Sequence, residues 1–180
     1  MNTESTNEND LPRSGSGLMS NELIKTLIEN YRTNHLSAIN DSLGIKDAHS
    51  IWFDLPKLKN FIALIEQEAA KVNPRYTQED LGIRFYYAAY PKIDNWDIMN
   101  THPVPQEYSE KHTLVMIPTM KGKNAEGELH DFDFNPIQSD ESRSIAMAAR
   151  GGSGPSYDDG NLGENSGTLV PPSPIIGEAY

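Results

Sequence analysis

The sequence predicts an α+β domain in which a small sheet of three or four strands carries two main helices. Three observations lead to this prediction. Apolar residues recur at helical spacing after Ser20 and again after Pro56, as in helices with one buried face. Residues 82–90 and 112–119 are instead rich in strand-forming aromatic and β-branched residues. Beyond Lys121 the chain becomes rich in glycine and proline, which indicates a long C-terminal segment dominated by loops.

Both helices carry local start signals. Ser20 is a favourable N-cap residue, and the apolar stripe of residues 23–39 follows it before Gly44 provides a stop signal. The second helix has Asp54 as its cap and Pro56 in its first turn, where the missing N–H of proline costs little. If the strands on either side of this second helix are parallel, their connection should be a right-handed crossover.

The sheet is predicted from four short runs. Residues 51–53 form a bulky β-type run before the second helix, and residues 82–90 form an aromatic strand. Residues 112–119 are apolar on both faces, which is typical of a central strand, and Pro118 should mark its end or a bulge. Residues 128–134 alternate between apolar and polar, as expected for an edge strand.

The aromatic strand invites a nucleic-acid interpretation, because exposed aromatic rings can stack on bases. Only Arg84 and Lys92 accompany Phe85, Tyr86 and Tyr87, whereas a base-stacking platform needs a positive groove. We therefore expect these rings to belong to the core, with tyrosine hydroxyls reaching its rim.

Residues 91–111 form a long connection that contains three prolines. Connections of this length without regular structure are often binding loops or lids. Alternatively, Trp96, Ile98 and Met99 hold the connection against the domain, which is the interpretation we favour. The apolar, proline-punctuated residues 168–176 allow a similar choice between a strap across the domain and a docking peptide in polyproline form. We favour the strap.

The 180 residues are predicted to form a disordered acidic N-terminal tail (1–17) and a single domain (18–180), of which residues 121–180 are loop-rich apart from one short helix at residues 140–149. The net charge of −11 lies at the two ends, with −3 in residues 1–10 and −7 in residues 122–180. Acidic ends oppose binding to nucleic acid but suit a basic protein partner.

Composition also bears on the compartment. The chain has no cysteine, which removes disulfides and thiolate chemistry and fits a reducing environment. The first sixteen residues lack the basic and apolar regions of a secretory signal, and the apolar runs are far shorter than the roughly 20 residues needed to span a bilayer. We therefore expect a cytoplasmic protein with no membrane partner.

One run suggests a metal site. In an extended chain Asp131, Asp133 and Asn135 share a face and offer the oxygen ligands that a hard cation prefers. If their strands pair, His112 and His130 would add two imidazoles to this group, which gives the one constellation from which a hydrolytic site could be built. The alternative, which we favour, is an edge strand whose carboxylates deter edge pairing. We therefore expect no cofactor.

The succession SIWFDLPKLKNFI, GIRFYYAAYP, HTLVMIPT and ENSGTLVPP is similar to a family of small uncharacterised bacterial proteins, over roughly residues 20–172. The resemblance implies no activity and no catalytic or binding residue. It implies only that the segment after Lys121 belongs to the domain.

These observations rank three functions. The leading hypothesis is a non-enzymatic interaction or accessory (immunity-like) module whose acidic ends meet a basic partner. The first alternative is a divalent-cation-dependent enzyme that uses the His/Asp cluster. The second alternative is a small-ligand binding domain with a pocket beside Tyr87 and Trp96, beneath residues 91–111.

Overall fold

The computed structural model describes residues 19–135 and 162–170, and it confirms the predicted α+β class. Within these ranges, three α-helices accompany a three-stranded and a two-stranded antiparallel sheet. The tail predicted at residues 1–17 and the helix predicted at residues 140–149 lie outside them. None of the helices described has both the length and the apolar composition needed to cross a bilayer.

The first helical stretch is continuous but changes its winding. Helix α1 spans Asn21–Asn30, a π-helical segment follows at Tyr31–Leu36, and α2 spans Ser37–Leu43. Ser20 caps the stretch as predicted, because its Oγ accepts a hydrogen bond of 3.1 Å from the backbone N–H three residues on. Gly44 ends it at a φ of 66°, a left-handed conformation that glycine adopts without strain.

The first helix is less buried than its apolar stripe predicts. Across α1, the π-helical segment and α2, the one buried residue is Leu36, which lies in the π-helical segment. Leu23 and Leu27 of α1 are exposed. In the same segment the rings of Tyr31 and His35 stack with their centroids 5.9 Å apart. Sequence periodicity did not reveal the π-helical winding, which in proteins often occurs at functional sites.

Helix α3 spans Leu55–Val72 and confirms the predicted second helix. Asp54 caps it by accepting a hydrogen bond of 2.8 Å from the N–H of Lys57, and Pro56 lies in its first turn. Its buried residues recur at the helical spacing that the sequence showed, and they are Phe61, Ile65 and Ala69.

The larger sheet has the order β2-β3-β4, with β2 at Leu81–Ala89, β3 at His112–Lys123 and β4 at Leu129–Asp133, all antiparallel. Strand β3 is central, as its two apolar faces predict. Strand β1 (Ser50–Trp52) lies in the other sheet, where it pairs antiparallel with β5 (Thr168–Val170). Because α3 does not join two parallel strands, the condition for a right-handed crossover is not met.

Strand β3 continues through Pro118, which contradicts the expected end or bulge. The carbonyl oxygen of Pro118 accepts a hydrogen bond of 2.8 Å from the N–H of Phe134, on the side of β3 that faces away from β2. In a strand the N–H and C=O of one residue point to the same side. The N–H that proline lacks would therefore point away from β2, so no hydrogen bond between β2 and β3 is lost. On the β4 side, Pro118 lies one residue beyond the last β3–β4 pair, Thr119 with Asp133.

The long connection folds into two 3₁₀-helical stretches, Ile93–Thr101 and Gln106–Tyr108. As predicted, Trp96 and Met99 hold it against the domain, whereas Ile98 is 63% exposed and does not. The buried cluster that receives the two packed side chains comprises Ala48, Tyr90, Tyr108 and Leu169.

The end of the described chain is built into the fold. Glu164 exchanges both backbone hydrogen bonds with Met116 of β3, at 2.9 and 3.1 Å, on the side opposite β2. Strand β5 then pairs with β1, and its middle residue, Leu169, is fully buried. Residues 168–170 therefore belong to the second sheet, while residues 171–176 lie outside the part of the chain that the structure describes, so the strap over residues 168–176 stays a prediction.

We expect the buried phenol of Tyr90 to make stability fall at alkaline pH. Burial raises its pKa above the ordinary value of 10.0, while its hydroxyl lies 3.3 Å from the carbonyl oxygen of Asn165. The unfolded chain ionises this phenol first, so the stabilising contribution is complete below pH 10 and is lost as pH rises through the folded-state pKa. In urea titrations between pH 8 and 11, the free energy of unfolding should fall more steeply for the wild type than for Tyr90→Phe. Parallel pH profiles would contradict this expectation.

Candidate functional site

The main candidate site is the free edge of β2, which among the described strands pairs with β3 alone. Phe85 lies opposite Met116, and the backbone groups of Met116 are bonded to Glu164 on the far side of β3. Phe85 and Met116 are therefore a pair of opposed residues that do not hydrogen-bond to each other. In such an antiparallel pair the N–H and C=O of Phe85 point away from β3. Since this direction alternates along a strand, five residues face the free edge, and we call them the edge-facing residues: Leu81, Ile83, Phe85, Tyr87 and Ala89.

Three consecutive aromatic side chains are exposed along this edge. Tyr87 is 89% exposed, Phe85 53% and Tyr86 41%. The sequence pattern predicted a core position for them, and that prediction is wrong for these three residues. The apolar cluster beneath α3 takes in Leu81 and Ile83 at the start of the strand, and it does not extend to the aromatic residues that follow.

The edge of β2 also lacks the features that usually prevent pairing with another strand. Protected edges carry lysine, proline, a bulge or an inward-pointing charge. The single charge of β2 is Arg84, and its guanidinium is already bound to the Asp133 carboxylate and, at 2.8 Å, to the carbonyl oxygen of Asp131. A nine-residue strand with an open edge is the usual acceptor for an added strand.

The second candidate site is a buried carboxylate that holds an imidazole. Asp47 is 1% exposed, and its Oδ1 accepts hydrogen bonds from the N–H of Ala48 at 2.8 Å and of His112 at 2.7 Å. Its other oxygen, Oδ2, is bound to Nδ1 of the His112 ring. When the imidazole is neutral, this contact places the proton on Nδ1 and leaves Nε2 as an acceptor. The arrangement is one that a general base needs, but it also serves to join the loop after α2 to the start of β3.

Tyr31 connects the two candidate sites. Burial raises the pKa of its phenol, and the negative charge of Asp47 and the phenol of Tyr87 raise it further. Tyr31 therefore stays protonated at neutral pH and can donate a hydrogen bond. Tyr87 lies opposite Leu114, and His112 is two residues along the same strand, so Tyr87 and His112 are diagonal neighbours on one face of the sheet.

The structure separates the predicted metal ligands. His112 begins β3, whereas His130 lies opposite Gly122, ten residues further along that strand. Ten residues of strand span about 33 Å. The pairing of the two strands therefore does not bring the two imidazoles together, and the predicted constellation is not formed.

The remaining predicted ligands lie at the far end of β4. The carboxylate of Asp133 is bound by Arg84 and by the hydroxyl of Tyr86, so both of its oxygens are engaged in contacts between β4 and β2. Asp131 is exposed, and Asn135 lies two residues beyond the end of the strand. Within residues 19–135 and 162–170, no group of three or more His, Cys, Asp or Glu residues could hold a metal ion.

Within the described residues, Tyr87 and Trp96 do not lie side by side as the expected pocket requires. Trp96 packs against Tyr90, with ring centroids 6.3 Å apart, and Tyr90 lies on the opposite face of the sheet from Tyr87. A cleft of about 310 Å³ instead lies between α3 and the start of β2. It is lined by Ile62, Ile65, Glu66, Gln78, Leu81, Gly82 and Ile83.

Sequence reasoning missed both candidate sites for different reasons. Asp47 has no local signal, since its partner His112 is 65 residues away. The exposed edge did have one: Phe85, Tyr86 and Tyr87 are consecutive, and successive strand residues point to opposite faces. A run of three large aromatic residues needs cover on both faces of the sheet if all are to be buried.

Comparison with known proteins gives no relative from which a role could be transferred to these residues. No protein-family model matches the chain, and no curated protein or solved structure matches it.

Proposed function

We propose that this protein is a non-enzymatic interaction module, accessory (immunity-like) in kind, that acts in the cytoplasm by binding other proteins. The observation that supports this most directly is the free edge of β2 with its exposed aromatic residues. In strand addition, main-chain hydrogen bonds supply affinity and the alternate side chains supply specificity. Tyrosine and phenylalanine are also among the residues enriched at protein interfaces.

Charge supports a basic protein as one partner. The net charge of −11 is concentrated in residues 1–10 and 122–180, outside the nearly neutral middle of the chain. Such a distribution accelerates association with a basic surface and opposes association with phosphate backbones. The lack of cysteine supports a reducing compartment.

Site-specific photo-crosslinking tests the proposal. A benzophenone amino acid replaces Tyr87 in the full chain, and the same replacement is made at Ile98 as a control at an exposed apolar side chain away from β2. In extract of the native host, we expect a discrete protein adduct from position 87 and none from position 98. The adduct should decrease when excess unlabelled wild-type protein competes for the same partner.

A repeat at 1 M salt separates the two contributions to binding, because the Debye length there is about 3 Å and exposed charges are screened. Contacts made by the acidic ends should weaken at high salt, whereas strand addition at β2 should persist. If position 87 yields no protein adduct under either condition, the proposed function is contradicted.

A further inference from the structure

We propose that the partner at the free edge of β2 is a second copy of this chain, whose β2 strand pairs antiparallel with it across a two-fold axis at Phe85. The inference rests on the proposed function, since it names the occupant of the same surface. The product would be one continuous sheet of six strands in the order β4-β3-β2-β2-β3-β4. Both β2 edges would then be paired, and the exposed rings of Phe85 and Tyr87 would be covered.

The backbone of β2 is complementary to itself. The strand has nine residues, and Phe85 is the middle one. An axis at Phe85 places it opposite the second copy's Phe85, places Ile83 opposite Tyr87, and places Leu81 opposite Ala89. All of these are edge-facing residues. The Phe85 pair and the Ile83–Tyr87 pairs can each exchange two backbone hydrogen bonds, whereas the N–H of Leu81 already donates to the carbonyl oxygen of Gln78. A shift by one residue would oppose edge-facing with inward-facing residues and lose this ladder, and a shift by two would shorten it.

The side chains are compatible with the same register. Opposed Phe85 rings form an aromatic pair, and Ile83 against Tyr87 is an aromatic–β-branched pair, both of which stabilise neighbouring strands. On the other face Arg84 lies opposite Tyr86, so the single charge of each strand does not meet its own copy. Like charges directly opposite each other would oppose pairing, and this register avoids them.

A second copy satisfies this pattern at Ile83, Phe85 and Tyr87, whereas an unrelated strand would have to match it independently. None of the other described strands pairs with this edge, and the N–H of Leu81 at its start is the group already bonded, to Gln78. In a two-fold dimer the same surface of each copy forms the interface, so one β2 edge pairs with the other. Two-fold dimers are also the commonest homo-oligomers.

A charge-swap experiment on the full chain tests the proposal. By sedimentation equilibrium the wild type should have twice the mass of the 20.1 kDa chain. Phe85→Lys and Phe85→Glu should each have the mass of one chain, because each places like charges opposite one another at the axis. An equimolar mixture of the two variants should recover the doubled mass, which a misfolded variant would not do. Ile98→Lys, a matched change at an exposed apolar residue away from β2, should remain a dimer.

The outcomes separate this inference from the proposed function. A wild type that stays at the mass of one chain overturns the inference, as does a doubled mass that Phe85→Lys leaves unchanged. If the wild type is a single chain and position 87 still crosslinks to another protein, the proposed function stands and only the second copy is rejected. Crosslinking of position 87 to the chain itself, with recovery of the mixed dimer, supports the second copy; the proposed function is supported only if another protein is crosslinked as well.

Discussion

Replacing Asp47 by alanine is expected to destabilise the fold by about 2–6 kcal/mol, because two backbone N–H groups lose their acceptor at about 1–3 kcal/mol each. The carboxylate accepts hydrogen bonds from two backbone N–H groups, those of Ala48 and His112, and from the His112 ring. Without it the N–H of Ala48, which is buried, and the N–H of His112, which is part-buried, lose their acceptor. Since small domains are stable by only about 5–15 kcal/mol, the variant should lose a large part of its stability.

Urea titration followed by circular dichroism measures this effect as a fall in the unfolding midpoint at an unchanged slope. Asp131→Ala is the matched control, because Asp131 is an exposed carboxylate on β4 and its loss should change stability by no more than about 0.5 kcal/mol. Asp47→Asn should fall between the two, since the amide keeps one acceptor oxygen. An Asp47→Ala variant as stable as the control would show that the carboxylate does not hold the loop to β3.

Leu169→Ala is expected to cost about 2–5 kcal/mol, the range for removing a leucine side chain from a well-packed core. Leu169 is fully buried in a cluster with Ala48, Tyr90 and Tyr108, and its N–H lies 3.2 Å from the hydroxyl of Tyr108. The loss should appear in the global unfolding transition, because β5 pairs with β1 and shares this cluster with the long connection.

Leu129→Ala provides the control for this substitution, because Leu129 is 66% exposed and its truncation should change stability by no more than about 0.5 kcal/mol. Equal unfolding midpoints for the two variants would mean that residues 162–170 do not unfold together with the rest of the domain. A separate early transition in Leu169→Ala, with the main transition unchanged, would lead to the same conclusion.

Local signals were sufficient for the elements whose formation depends on neighbouring residues. Asp54 and Pro56 predict the start of α3 because capping and the fixed φ of proline act within one turn. The two apolar faces of residues 112–119 predict a central strand because a strand covered on both sides has to be apolar on both sides.

Pro118 shows where this reasoning stops. Whether a proline breaks a strand depends on which neighbour its missing N–H would face, and the sequence does not state the order of the strands.

The candidate sites depend more strongly on tertiary structure. His112 was predicted as a metal ligand, but its side chain is bound to Asp47, a residue far away in sequence. The predicted grouping with His130 failed since antiparallel register places the two imidazoles at opposite ends of β3. For Phe85 and Tyr87, composition showed a strand, but exposure depended on how far α3 extends over the sheet.

By itself, the sequence determined the α+β class, the extent of the main helix, the central position of the strand that begins at His112, and the placement of the net charge at the two ends. These follow from residue type and from periodicity along a few turns or pleats. Only the tertiary structure decided that β2 pairs with β3 alone among the described strands, that Asp47 holds His112, and that residues 168–170 complete the second sheet. Each of these depends on contacts between residues far apart in sequence, and such contacts are fixed by the packing of the whole chain and leave no local pattern.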